Sequence, residues 1–294
     1  MKRCLIVNPK AGAVTDVGAL LKQFERIKPA ALHVTKHPGD AESYAADAAR
    51  NGCDEIIAAG GDGTLNEVIN GIASHFAQTR LGLIPLGTGN DFARCLSLPA
   101  TVDENIDIVL SADTTTLDVV RAASDHDRYF VNVSAGGFSG IVDEKLTPEL
   151  KQTWGPLAYI RSAAAALPEL RAYRTVVELD QHERVDVDLY NLVIANGRFV
   201  AGGLPVAPDA DPADGLLDVI LIPSRPTSEV VLLAAQIALG KHLKSDAIIF
   251  RRAKKVSVQS DPGMWFNVDG ELVGNQPIVF EVLPRALHFV LGKR

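Results

Sequence analysis

Over the first 120 residues, short apolar runs alternate with segments whose apolar positions recur every three or four residues. Cys4–Val7, Leu32–Thr35, Glu55–Ala59 and Leu81–Ile84 predict strands. Between them, Val17, Leu20, Leu21 and Phe24 fall at helical spacing, as do Ala41, Tyr44, Ala45 and Ala48, and then Leu65, Val68, Ile69 and Ile72. A βαβαβα order predicts a doubly wound α/β arrangement, a parallel sheet with helices on both faces. Such sheets bind ligands beyond the carboxyl ends of their strands, so the loops that follow the strands carry the chemistry.

From about Leu117 the pattern changes. Tyr129–Val133, Thr175–Leu179, Val185–Ile194, Leu216–Ile222, Val256–Val258, Met264–Val268 and Ile278–Leu283 predict strands. Several alternate apolar with polar residues, as in Val185-Asp186-Val187-Asp188-Leu189, the mark of half-buried antiparallel sheet. Helical segments interrupt them near Leu157–Leu167 and Ser228–Leu239. A domain boundary is expected near residue 120, with an α/β first half and a β-rich second half.

Composition narrows the function. A net charge of −7 over 294 residues argues against nonspecific nucleic-acid binding, which depends on Lys and Arg neutralising phosphates. Any contact with an anionic membrane must come from a local patch. Arg251-Arg252-Ala253-Lys254-Lys255 is the one dense basic run, and it reads as a solvated turn or a headgroup contact. Cys4, Cys53 and Cys95 are widely spaced, which predicts neither disulfides nor a zinc site. The apolar run after Met1-Lys2-Arg3 is too short for a signal peptide, and Val230–Leu239 is half the length of a membrane span. A cytoplasmic, non-integral protein is expected.

Three loops follow predicted strands of the first half. Asn8-Pro9-Lys10-Ala11-Gly12 alone reads as a turn. In Gly60-Gly61-Asp62-Gly63-Thr64-Leu65-Asn66-Glu67 the glycines let main-chain N–H groups approach a phosphate. Thr64 and Glu67 have capping-box spacing, which predicts a helix start aimed at the same spot. A carboxylate at Asp62, within an anion-attracting loop, makes sense if magnesium lies between it and bound phosphates. Pro85-Leu86-Gly87-Thr88-Gly89-Asn90-Asp91-Phe92-Ala93-Arg94 repeats the arrangement, although a helix N-cap by itself explains Asn90 and Asp91.

Gly60–Glu67 and Pro85–Arg94, with Asn8–Gly12 upstream, resemble the signatures of the diacylglycerol kinase catalytic domain. More narrowly, the chain resembles the soluble bacterial lipid kinases of that superfamily, to which sphingosine, ceramide and NAD kinases are related. The resemblance extends over nearly the whole chain. It implies a nucleotide-binding α/β domain over 1–120 and an antiparallel β-sandwich over 121–284 that takes the lipid, with the active site in the cleft between them. It also implies that 285–294 return to the first domain. ATP and Mg2+ are the implied cofactors. Asn8, Thr35, Gly60, Gly61, Asp62, Gly63, Thr64, Leu65, Asn66, Glu67, Gly87, Thr88, Gly89 and Asn90 are then expected at the nucleotide. Pro208–Asp218 resembles the family's D-G-x-L-D stretch, where Asp214 would hold a metal with carbonyls near Asp211 and Leu216. An acidic turn accounts for the same residues. In Asn267-Val268-Asp269-Gly270-Glu271, which on its own reads as a hairpin turn, Glu271 matches the family's general base, so Glu271 and Asp62 are the expected catalytic residues.

The expected activity is transfer of phosphate from ATP to a hydroxyl of a membrane lipid, first of all diacylglycerol, with transient contact at the inner face of the membrane. Sphingosine, ceramide or phosphatidylglycerol as acceptor, an NAD kinase-like enzyme and a nucleotide-binding regulator are the alternatives. A homodimer stays open. Trp154, Tyr159, Leu167 and Phe199 read equally as core or as acyl-chain pocket.

Overall fold

The computed structural model describes residues 1–111, 113–138, 165, 169–275 and 277–292. The chain divides into two compact units, Met1–Val119 with Pro284–Arg294, and Val120–Leu283.

The first unit contains strands β1 (Arg3–Val7), β2 (Ala31–Val34), β3 (Glu55–Gly60) and β4 (Arg80–Pro85). Its helices are α1 (Val17–Phe24), α2 (Asp40–Arg50), α3 (Asp62–Gly71), α4 (Asp91–Cys95) and α5 (Val102–Ser111). The strands are parallel in the order β2-β1-β3-β4, so the winding direction reverses between β1 and β3. Strand alternation sends Leu5, Val7, Ile57 and Ala59 to one face, where Leu20, Phe24, Ile106 and Val109 of α1 and α5 cover them. Cys4, Ile6, Ile56 and Ala58 point to the other face and are equally buried. All six residues of β3 are buried, as expected for a parallel strand covered on both sides.

The second unit is built on β5 (Thr114–Ala123), β6 (Asp127–Phe130), β7 (Val133–Gly137), β8 (Tyr173–Leu179), β9 (Glu183–Ala195) and β10 (Leu217–Pro223). It continues through β11 (Ile249–Ala253), β12 (Lys255–Asp261), β13 (Phe266–Val268), β14 (Glu271–Gly274) and β15 (Ile278–Val290), with helix α6 (Thr227–Ala238). Antiparallel pairing runs β14-β13-β7-β9-β8-β12-β15, and β9 pairs on its other edge with β10, which pairs with β11. The second half of β9 is buried on both faces. Leu192 and Ile194 join a core with Phe266 and Phe280, while Val193 and Ala195 pack with Leu233 and Ile237 of α6. From Pro284 onward β15 belongs to the first unit, where its end lies beside β4 in parallel, with His288 opposite Arg80.

Two expectations are corrected. The strand expected over Tyr129–Val133 is broken at Val131 and Asn132, whose N–H groups bond to the Asp269 carboxylate. The basic run is not a plain solvated turn. Arg251 and Arg252 lie in β11, where Arg251 pairs with Glu183 and Arg252 with Asp218. The helix expected at Leu157–Leu167, with Trp154, Tyr159 and Leu167, lies outside the described residues. Phe199 is half-buried, and its carbonyl accepts from Asn132 Nδ2 at 2.9 Å.

Candidate active site

The loops after β1 and β3 leave the sheet on either side of the point where strand order reverses, the place where such sheets take ligands. The loop after β4 closes on both. Leu86 N–H donates to the Gly60 carbonyl at 2.8 Å, and Ala13 N–H to the Leu86 carbonyl at 2.9 Å. A Cβ on Gly87 would stand 2.7 Å from Gly61 Cα, so the two main chains approach too closely for any side chain there. A Cβ on Gly12 would meet Thr88 Cγ2 at 2.5 Å. The three glycine-rich loops are therefore one packed surface.

Their polar side chains hold that surface together. Asn8 Nδ2 donates to Thr64 Oγ1 at 3.0 Å. Asp62 accepts from Asp91 N–H at 3.1 Å and Phe92 N–H at 3.2 Å, and so caps α4. Asn90, at φ 50°, closes its own loop by accepting from Gly87 N–H and donating to the Gly87 carbonyl, at 2.9 and 2.7 Å. The capping box expected between Thr64 and Glu67 does not form. The helix begins two residues earlier, at Asp62, and the Glu67 carboxylate instead accepts from Ala41 N–H at 3.0 Å in the first turn of α2. Gly39, the N-cap of α2, has no side chain to offer, and Glu67 supplies that cap from α3.

The α3 N-terminus itself has Gly61 at its cap and no side-chain capping bond. A Cβ on Gly63 would meet nothing within 4 Å, so packing does not demand a glycine there. Main-chain donors and the positive helix end are what this turn presents. Thr35, at the end of β2, is buried and its N–H donates to the Val7 carbonyl at 2.9 Å. Just beyond it, backbone N–H groups of Lys36 and His37 hold the Asp40 carboxyl below its usual range. Leu65 and Asn66 are buried within α3, and Asn66 Oδ1 accepts from Asn70 Nδ2. Thr88 is exposed at its loop tip, and Gly89 is half-buried.

In the second unit Glu271 opens β14, directly after the turn Asp269-Gly270 with φ 45° and 99°. The Asp269 carboxylate accepts from the N–H groups of Val131, Asn132 and Val133, at 3.2, 3.4 and 2.9 Å. Glu271 Oε2 pairs with Arg128 Nη2. Asp214 Oδ1 accepts from Leu216 N–H at 3.0 Å, and Oδ2 pairs with Arg252. Arg252 also reaches Asp218 at 2.9 Å. Burial still pushes the Asp218 carboxyl above its ordinary range. Asp211 accepts from Ala213 N–H at 3.1 Å. Sequence reasoning passed over Asp269 and Arg128. The signal for the first is the Asp of Asp-Gly-Glu, where local turn chemistry and a long-range main-chain cap call for the same residue.

Residues 2–122 match the family model of the diacylglycerol kinase catalytic domain, and residues 132–291 match the YegS C-terminal NAD kinase beta sandwich-like domain. Diacylglycerol kinases of Staphylococcus haemolyticus and Bacillus subtilis are each 34% identical over 302 residues, covering 100% of this chain and 89% and 97% of theirs. A crystal structure of a diacylglycerol kinase from Bacillus anthracis has the same fold, with a TM-score of 0.74 and 24% identity over 99% of this chain and 97% of that one. The chain belongs to the diacylglycerol kinase catalytic-domain family and is a kinase that phosphorylates an alcohol group.

Proposed function

We propose that the enzyme transfers the γ-phosphoryl group of ATP to a hydroxyl of a membrane lipid, with diacylglycerol, the substrate in its relatives' names, as the acceptor. The observation that carries this reading is the joining of three glycine-rich loops at the switch point around an uncapped helix start, a surface of main-chain donors suited to phosphate oxygens. Gly60, Gly61 and Gly63 would bring those donors to the phosphates, Gly87 to Asn90 would shape the opposite wall, and Thr35 would contact the nucleotide from β2.

Magnesium fits at Asp62, because each carboxylate oxygen accepts one N–H and keeps a second lone pair. Bound there, it would neutralise charge on the transferring phosphoryl group. It does not fit at Asp214, Asp211 and Leu216. Arg252 already neutralises Asp214 through Oδ2, and Oδ1 accepts the Leu216 N–H. No step is assigned to a metal there.

Glu271 would act as general base. The acceptor O–H bond breaks with its proton passing to the Glu271 carboxylate, and the oxygen forms a bond to the γ-phosphorus. The bond from that phosphorus to the bridging oxygen breaks, and its electron pair leaves with ADP. No helix among the described residues is long and apolar enough to cross a membrane, so the lipid would be met by transient contact at the membrane face.

The test is transfer of labelled phosphate from ATP to a panel of diacylglycerol, phosphatidylglycerol, sphingosine, ceramide and NAD, separated into organic and aqueous phases. Label in phosphatidic acid is expected, and label confined to the NAD fraction would refute the lipid reading. Glu271→Gln should lower turnover by roughly two to four orders of magnitude with ATP affinity unchanged.

A further inference from the structure

Strand β6 places Arg128 and Phe130 on one face, since side chains two apart share a side of a strand. Phe130 is fully buried on that face, edge-on to Phe280 at 6.2 Å and 87°. Arg128 thus points toward the core at the end of a strand, an orientation that burying a cation makes unfavourable unless an anion meets it. Glu271 meets it. The backbones at the two ends of this pair are also fixed. Three N–H groups of residues 131–133, directly after β6, bind the Asp269 carboxylate, and Asp269 N–H donates back to the Val133 carbonyl at 3.2 Å. Val268 pairs across the hairpin with Glu271 and, on its other edge, with Ser134.

We infer that Arg128 is a positioning residue for Glu271, an inference that rests on the reading of Glu271 as general base. The guanidinium holds Oε2, while Oε1 has no partner among the described residues and is the oxygen left to take the acceptor's proton. A carboxylate on a flexible stem at the start of a mostly half-buried strand still samples several rotamers. One oxygen paired with Nη2 of a half-buried guanidinium restricts it to those that keep the other aimed at one place. An ordinary surface ion pair with side chains 25% and 42% exposed would add little to stability and nothing to catalysis. The distinction can be measured.

The experiment is a double-mutant cycle on the full chain, using Arg128→Met, Arg128→Lys, Glu271→Gln and the combination Arg128→Met with Glu271→Gln. Turnover, KM for ATP and for diacylglycerol in mixed micelles, and melting temperature are recorded for each. Arg128→Met should lower turnover roughly 10- to 100-fold, the scale of a small misplacement of a reacting group, with both KM values and the melting temperature unchanged. Arg128→Lys should recover part of the loss, because it restores the charge without the fork. In the Glu271→Gln background, Arg128→Met should change turnover by less than about twofold, since nothing remains for it to position. Normal turnover in Arg128→Met, or a full loss that persists in the Glu271→Gln background, overturns the inference and leaves Glu271 as base. Normal turnover in Glu271→Gln overturns both. If Arg128→Met fails to fold, Arg128→Lys carries the same comparison against the Glu271→Gln background.

Discussion

Asp62 and Phe92 are thirty residues apart, yet the carboxylate of the first accepts the N–H of the second at 3.2 Å and that of Asp91 at 3.1 Å. A residue whose sequence context pointed only to metal and phosphate chemistry is also the cap of a short helix in a neighbouring loop. The two roles separate by substitution. Asp62→Ala should lower stability by about 1 kcal/mol through the lost cap, and turnover by at least about a hundredfold. Asp62→Asn keeps only one of the two accepting oxygens, so it should lose less stability than Asp62→Ala while turnover still falls. Near-normal turnover in Asp62→Asn would leave Asp62 a purely structural residue.

The glycine contacts predict two different kinds of damage. Gly87→Ala sets a methyl 2.7 Å from Gly61 Cα, and main chain cannot rotate aside, so the two loops must part. ATP affinity should weaken about tenfold or more, equivalent to about 1.4 kcal/mol. Gly12→Ala collides instead with the Thr88 methyl at 2.5 Å, which can be removed. Thr88→Ser should restore much of the affinity lost in Gly12→Ala and none of that lost in Gly87→Ala. Equal rescue of both, read by calorimetric titration with a non-hydrolysable ATP analogue, would contradict this account.

His242 is fully buried, with Nε2 2.7 Å from the Val206 carbonyl, a pairing that a neutral ring donating from Nε2 satisfies. Burial pushes its pKa below the ordinary value of 6.5. As pH falls below 6.5 the unfolded chain takes up a proton that the folded chain refuses, so stability drops until the lower folded pKa is reached. The slope from this one group cannot exceed about 1.4 kcal/mol per pH unit. Denaturant titrations between pH 7.5 and 5 should show a stability loss that is smaller in His242→Gln. Identical pH profiles would assign the acid sensitivity elsewhere.

Arg252 supplies its own prediction. With Asp218 almost wholly enclosed and Asp214 beside it, one guanidinium serves two carboxylates. Arg252→Met should cost about 2 kcal/mol, because it strands a buried acid. Removing divalent ions with EDTA should leave the melting temperature of the nucleotide-free protein unchanged. A drop on chelation would place a structural ion where none is assigned.

The sheet of the first unit was legible because β1, β3 and β4 are continuous apolar runs and α1 to α3 carry clean helical spacing. Glycines beside strand ends likewise marked the three loops that pack together. What escaped was long-range pairing. Nothing local to Glu67 says that its carboxylate will cap α2, and nothing near Val131 says that Asp269, 138 residues on, will interrupt a strand. Spacing rules see neighbours within a few residues, and capping bonds obey geometry that only the folded chain supplies. Arg251 and Arg252 looked like a turn because four charges in five residues hid a strand whose partners were acids far away in sequence.

The engagement of Asp62, Thr64 and Glu67 with α4, Asn8 and α2 bears on how a nucleotide would be chosen. Apart from the lone pairs that Asp62 keeps, the stretch from Gly60 to Glu67 offers a ligand mainly amide hydrogens. Amides respond to the spacing of phosphate oxygens and are blind to the ring at the far end of the molecule. A nucleotide bound there as proposed would be held alike whether it carried adenine or guanine, and any preference between purines would have to be written elsewhere in the chain.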